Sequence, residues 1–367
     1  MAENLSRREA LEDKNIERWY DNLQRRSLQT AETYLRRLMM FCRDNNISPE
    51  ELLEIDENDL RDMLLDYVTR LSRTHSGNYI NTIIHAVKNF LEFNHKKVSI
   101  RVYLRRESNA SKKEKTPTKD ELRKLLFFAK DMRARALTSL VAFSGLRLFS
   151  IGYHDGSDGL RLGDLPDLNI DNLEFEKVPS AIIVRQELSK AKHQYITFAG
   201  RQTCEYILGY LRWRKSRGEE LSENSPLIAT RSRKFLYTNQ ISSILRESIL
   251  IAGYEWRPYL LRHYFDTQLL LAEGSGYIPN DYRVFWMGHK GNIEHVYTTN
   301  KHRLPEQLME DMREKFEKAS RIFLETDIIK EEPKQKVVKP EEIDRYIESG
   351  WEFLSNLPDG RVVIKKE

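Results

Sequence analysis

Between Asn15 and Lys97 the chain repeats one pattern, amphipathic stretches with a helical period, each closed by a short polar break. In "TAETYLRRLMMFCRD", Tyr34, Leu38 and Phe41 recur at i, i+4 and i+7, the spacing that lines one side of a helix. The break "NNISPEEL" then restarts the pattern, with Ser48 suited to cap a helix and Pro49 to its first position. Further helices are predicted over about Asp56 to Arg73 and Ser76 to His95, the latter with Ile80, Ile83, Val87, Phe90 and Leu91 facing inward. Such a run closes only as a compact helical domain. Arg36, Arg37, Asn81, His85 and Lys88 fall on its polar faces.

A chain of 367 residues is too long for that domain alone, so a second one is expected. The boundary is marked by charge. In "RVYLRRESNASKKEK", Arg101 to Lys115, six basic residues stand against two acidic ones with no sustained apolar period. This stretch reads as a positively charged linker, and Arg105, Arg106, Lys112, Lys113 and Lys115 are its candidate phosphate contacts. The overall charge of +4 is too mild to name a partner by itself. No run approaches the roughly 18 consecutive apolar residues of a membrane span. The opening "MAENLSRREALEDKNIERW" has no apolar leader pattern, so a soluble protein of the cell interior is expected. Cys42 and Cys204 lie far apart in apolar helical segments, which argues against a disulfide or a thiolate metal site.

The second domain opens at "TPTKDELRKLLFFA", where Thr118 is a helix cap and Glu121 its capping-box partner. The helix "ARALTSLVAFSG" ends at Gly145. Turn-rich sequence follows, with β-branched runs at "SAIIVRQ" and "HQYITF" that read as a small antiparallel sheet. From Arg201 to Phe323 the chain returns to helices. The fold class is therefore mainly α with a small antiparallel β-sheet. The boundaries read as residues 1–100, a linker at 101–116, a second domain at 117–325 and a tail at 326–367. In the tail "KEEPKQKVVKPEE" has the composition of a linker, "IDRYIESGWEFL" suits a short helix and "GRVVIKKE" a strand.

There is no P-loop, no GxGxxG after a strand and no HExxH, and the histidines and acids show no metal-ligand spacing, so neither cofactor nor metal is expected. What stands out instead is cations set after breaks. Arg147 in "SGLRLFSIG" and Arg262 in "RPYLLRHYFDTQLL" sit in apolar runs, where a guanidinium must be paired or face a site. Lys190 in "ELSKAKHQYITF" falls at the tip of the predicted hairpin, and His289 follows the helix end in "VFWMGHK".

The order and spacing of these residues resemble the tyrosine site-specific recombinases, which include phage integrases and the integrases of archaeal plasmids and viruses. That family has an arginine after "SGLR" (Arg147), a lysine on a β-hairpin (Lys190), an H-x-x-R-H box (here "YLLRH", with Arg262 and His263), and "LGH" followed by the tyrosine (here "MGH" with His289, then Tyr297 in "EHVYTT"). Tyr259 stands where the box has histidine, as in one branch of archaeal integrases, and it is read as a variant phosphate ligand. Ser150 stands where the family commonly has glutamate, so the partner of Arg147 is expected to be Asp164 or Asp155.

The resemblance implies an N-terminal core-binding clamp and a catalytic domain that cleaves and rejoins DNA through a 3′-phosphotyrosyl link at Tyr297. Arg147, Arg262, Tyr259 and His289 would grip the phosphate, and Lys190 would protonate the leaving 5′-oxygen. The two arginines would help the phenol ionise, and Tyr297 would ride on a short adjustable segment. It further implies double-stranded DNA as partner, a tetramer on DNA, and a place in a mobile genetic element's integration. The tail at 326–367 is a candidate docking segment, on its own subunit or on a neighbour. A type IB topoisomerase that relaxes supercoils, and a DNA-binding regulator with a decayed site, are the alternatives.

Overall fold

The computed structural model describes residues 7–104, 115–326, 335–348, 351–357 and 360–365. They divide into two compact units, Met1–Lys115 and Thr116–Glu367.

The elements of the first unit's described part are all helices: α1 (Arg7–Ala10), α2 (Lys14–Arg26), α3 (Leu28–Asn45), α4 (Pro49–Glu54), α5 (Glu57–Leu71) and α6 (Gly77–Phe93). Side chains that can accept from free N–H groups start these helices. Asp13, Ser27, Asp56 and Ser76 cap α2, α3, α5 and α6, and Ser48 with Glu51 closes a full capping box on α4. The apolar stripes meet in a core of Trp19, Leu38, Phe41, Tyr67, Ile83, Val87 and Phe90. Trp19 meets Phe90 and Phe41 meets Tyr67 edge-on, with centroids 5.3 and 4.9 Å apart. The five α6 residues expected to face inward are all buried.

The second unit begins with α7 (Lys119–Phe128), where Thr118 and Glu121 form the predicted capping box. Next come α8 (Met132–Ala142) and α9 (Leu148–Ile151), then β1 (Leu168–Asn169) paired with β2 (Glu174–Phe175). β3 (Ser180–Val184) pairs antiparallel with β4 (Tyr195–Ala199), Ser180 opposite Ala199 and Val184 opposite Tyr195. Helices α10 (Arg201–Ser216), α11 (Thr238–Ile251), α12 (Tyr259–Gly274), α13 (Asn280–Trp286), α14 (Asn292–Thr299) and α15 (Glu306–Ala319) follow. This is the expected class, mainly helical with small antiparallel sheets.

Helix α8 is buried almost all round, from Ala136 to Ala142, and packs against α10, α11 and α12. Its buried hydroxyls are satisfied locally, Thr138 by the Ala134 carbonyl and Ser139 by that of Ala136. Gly145 then turns the chain with φ of +64° and brings Arg147 to the head of α9. A Cβ at Gly145 would overlap the Phe265 ring. Gly145→Ala is therefore expected to cost about 2–5 kcal/mol, from left-handed strain plus overpacking. Denaturant unfolding measures it, and Gly145→Ala with Phe265→Leu should recover the overpacking part only. A cost below about 1 kcal/mol would contradict this packing.

All five residues of β4 are buried, and the strand packs against α13. One expectation needs correction: the tail is richer in strand than its composition suggested. β5 (Gln335–Val338), α16 (Ile343–Glu348), β6 (Glu352–Asn356) and β7 (Val362–Lys365) form a three-stranded sheet in the order β5–β7–β6, over a small core of Val338, Trp351, Val362 and Ile364. The missed strands are short edges whose pairing with β7 is non-local, and this leaves little periodic signal. Of the expected linker cations, Arg105, Arg106, Lys112 and Lys113 lie outside the described residues.

Candidate active site

Two guanidiniums that lie far apart in sequence point at one carbonyl. Arg147 Nη1 donates to the Met287 carbonyl oxygen at 3.4 Å, and Arg262 Nη2 donates to the same oxygen at 2.6 Å. Met287 follows the last residue of α13, where carbonyls have no partner within the helix. Gly288, with φ of +61°, closes that end: its N–H donates to the Phe285 carbonyl and the N–H of His289 to that of Val284, a Schellman motif. Arg283 fastens α13 to α12 by ion pairs to Asp266 at 2.9 Å and Glu273 at 2.6 Å.

Arg262 is only 4% exposed, and its Nη1 has no hydrogen-bond partner. Burial pulls its pKa from the ordinary 12.5 to about 10, with Tyr195 opposing the fall and Arg147 adding to it. A cation kept this way is costly for folding, on the order of 3 kcal/mol at neutral pH. His289 belongs to the same group of charges. Burial, then the positive charges of Arg147 and Arg262, push its imidazole below the usual range, so it is a neutral hydrogen-bonding group at pH 7. Tyr259, 58% exposed, stands at the head of α12 with its ring edge-on to His263. Tyr259 and Arg262 also interact electrostatically.

The structure thus brings Arg147, Arg262, His289 and Tyr259 together. The other two expected residues lie apart from this group, Lys190 on the hairpin connection where it was expected. Lys190 is exposed on the β3–β4 connection, away from any ion pair among the described residues. Tyr297 is 1% exposed, inside α14, with its ring edge-on to Phe285 and His302. Its hydroxyl accepts a 2.8 Å hydrogen bond from Gln194 Nε2. Burial pushes this phenol up and the Gln194 bond draws it down, and neither arginine contributes. The expected adjustable segment is a helix here, and the expected help of the arginines in ionising the phenol is missing from this conformation. A phenol in an apolar pocket stays neutral because its anion would lose solvation.

The expected pairing of Arg147 is also corrected. Asp164 is taken by Arg185 at 3.0 Å and Asp155 by Ser157, so Arg147 has the Met287 carbonyl instead. Ser150 is buried and donates at 2.6 Å to the Leu188 carbonyl, which fastens the base of the β3–β4 connection to α9. Sequence reasoning missed Gln194, Arg283 and this role of Ser150. Each acts through a partner distant in the chain, so no local pattern marks it.

On the first unit Arg36, Asn81 and His85 are exposed, the last two one helical turn apart on α6. Lys88 is half-buried with Nζ 3.4 Å from the Ile100 carbonyl, and Arg37 lies over the Tyr79 ring at 4.1 Å. Lys115 is exposed. Burial pushes the thiols of Cys42 and Cys204 up to about 12. Among the described residues no helix is long and apolar enough to cross a membrane, and no three His, Cys, Asp or Glu side chains are grouped to hold a metal.

No protein-family model matches the chain, and no curated protein does. Solved structures do. The XerH site-specific recombinase bound to its palindromic difH substrate, a post-cleavage complex, aligns at 17% identity with a TM-score of 0.50, covering 81% of this chain and 82% of that one. The chain has the fold of a site-specific recombinase. The pre-cleavage XerH complex aligns at 18% identity and a TM-score of 0.49, over 80% of this chain and 82% of that one. A lambda integrase dimer bound to a COC′ core site aligns at 14% and 0.46, over 80% and 78%. Within this recombinase fold, the Met287 carbonyl is the point on which the two arginines meet.

Proposed function

We propose that the chain is a site-specific DNA recombinase, an integrase that cleaves and rejoins strands through a covalent tyrosine link without a metal. The observation that carries this reading is the convergence of Arg147 and Arg262 on the Met287 carbonyl, with Arg262 Nη1 buried and unpartnered beside it. An oriented guanidinium with a donor to spare, in a region drained of water, suits an anion with several acceptor oxygens. A phosphodiester is such an anion.

In this mechanism the two arginines hold the non-bridging oxygens, and neutral His289 and exposed Tyr259 add hydrogen bonds to them. The Tyr297 oxygen attacks phosphorus as its proton passes to water. The bond from phosphorus to the 5′-oxygen breaks, Lys190 gives that oxygen a proton, and a 3′-phosphotyrosyl link remains. A 5′-hydroxyl from another strand reverses the steps and reseals the DNA. For the attack, Tyr297 must leave its pocket and its bond to Gln194, so α14 moves before chemistry. The first unit, with Arg36, Asn81, His85 and the linker cations, closes on the duplex mainly through phosphates. Four subunits on two duplexes would complete exchange, with residues 326–367 as a docking segment between them.

The experiment uses a duplex with the chain's own recognition site, selected from a random-sequence library by binding to the full chain and nicked near the cleavage point. A covalent adduct is expected on a denaturing gel, resistant to chelator, with the DNA on the peptide that contains Tyr297. No adduct, or one on another residue, would sink the reading. Relaxation of supercoiled plasmid without exchange between two sites would favour a topoisomerase instead.

A further inference from the structure

Among the described residues the side-chain nitrogen and oxygen atoms buried without a hydrogen-bond partner are not spread evenly. Ser189 Oγ, a ring nitrogen of His193 and the hydroxyl of Tyr195 all come from one seven-residue stretch. A fourth is Arg262 Nη1, and Tyr195 is the titratable group that acts most strongly on that guanidinium. A buried polar atom without a partner costs about 1–3 kcal/mol. Such a concentration beside two convergent arginines is the mark of a place where a ligand supplies the missing acceptors.

Tyr195 begins β4, and its ring is fully buried. The hydroxyl end of that ring lies under the turn after α13: a Cβ at Gly288 would stand 2.6 Å from its Cε1 and Cζ. That turn is the one whose Met287 carbonyl takes both arginines. The Tyr195 ring and the Arg262 guanidinium therefore border the same turn. Tyr195 lies too deep to be a surface aromatic, and its hydroxyl donates to nothing in the chain.

We propose that Tyr195 is a further phosphate ligand, whose hydroxyl donates to the non-bridging oxygen that Arg262 Nη1 also grips. This rests on the recombinase reading above and adds a donor that the motif residues do not include. The chain itself covers both atoms, and in this proposal the connection between Ser189 and Gln194 moves aside for the phosphate. That connection carries Lys190, and its Gln194 holds the Tyr297 hydroxyl, so one movement admits the phosphate and releases the nucleophile.

The test is single-turnover cleavage of the selected nicked duplex by the full chain, wild type against Tyr195→Phe, with the scissile phosphate as oxygen, Rp-phosphorothioate or Sp-phosphorothioate. The variant keeps the ring, and its DNA affinity is titrated alongside so that a binding loss is separated from a rate loss. Its cleavage should slow about 10²-fold, the scale of a lost oxyanion donor. One diastereomer's sulfur effect should shrink in the variant while the other's is unchanged, because Arg262 still holds the affected oxygen. Equal slowing on both, with unchanged sulfur effects, would assign Tyr195 a packing role only. A wild-type rate would mean that its hydroxyl meets water. If Tyr195→Phe does not fold, 3-fluorotyrosine at the same position keeps the ring and lowers the phenol pKa. Cleavage should then fail at a lower pH than in the wild type, and an unshifted pH profile overturns the proposal. Failure of wild type to form any adduct would overturn the recombinase reading instead.

Discussion

Tyr297→Phe is expected to form no covalent adduct at all on the nicked duplex, while folding nearly as stably as the wild type. The ring packs edge-on against Phe285 and His302, and phenylalanine keeps those contacts. What is lost is one hydrogen bond, leaving the Gln194 amide without its partner. The penalty should be about 1 kcal/mol, smaller if the amide reaches water. Adduct formation is read on a denaturing gel, stability by urea unfolding, and DNA affinity by titration at fixed salt. Loss of adduct with stability and affinity retained separates chemistry from folding. An adduct that survives the substitution would move the nucleophile elsewhere.

Arg262→Met is expected to slow cleavage by about 10³-fold and yet to raise stability. The wild-type guanidinium is buried, and one of its arms has no partner. An apolar side chain of similar length removes that burden and fills the same space, a change that commonly gains about 1–4 kcal/mol at a buried charge. The Met287 carbonyl keeps Arg147 as a donor, so it is not left bare. The pH dependence has a definite sign. The folded pKa of Arg262, about 10, lies below the ordinary 12.5. Between those values the unfolded chain binds more protons, so wild-type stability gains on that of the variant as pH rises through about 10. Urea midpoints of both proteins at pH 8 and above pH 10 measure this. A variant less stable than wild type at pH 8 would show that Arg262 is paired by something other than the Met287 carbonyl.

Much of this molecule is written in short-range signals. Thr118 with Glu121, and Ser48 with Glu51 and Pro49, start helices because a side-chain oxygen satisfies N–H groups within one turn, and that needs no knowledge of the rest of the chain. Gly145 and Gly288 mark turns for an equally local reason, their positive φ. The stripe of Ile80, Ile83, Val87, Phe90 and Leu91 names its own buried face. Arg147 and Arg262 are visible as cations in apolar runs, so the need for a partner is legible too.

Which partner is not legible. The carbonyl that both arginines reach belongs to Met287, which is 140 residues from Arg147, and a backbone carbonyl has no signature in sequence. Asp164 and Asp155 were plausible partners by charge and are engaged elsewhere. The short strands of the tail escaped because their stability comes from pairing with β7, not from their own few apolar residues. Tyr297 marks the limit most clearly. Its type and spacing single it out as the candidate nucleophile, since those are properties of the chain. Whether its phenol meets water, a phosphate or Gln194 depends on how α14 packs against α13 and the β3–β4 connection. Burial and charge at a point in space are sums over neighbours, and only the folded chain supplies the neighbours.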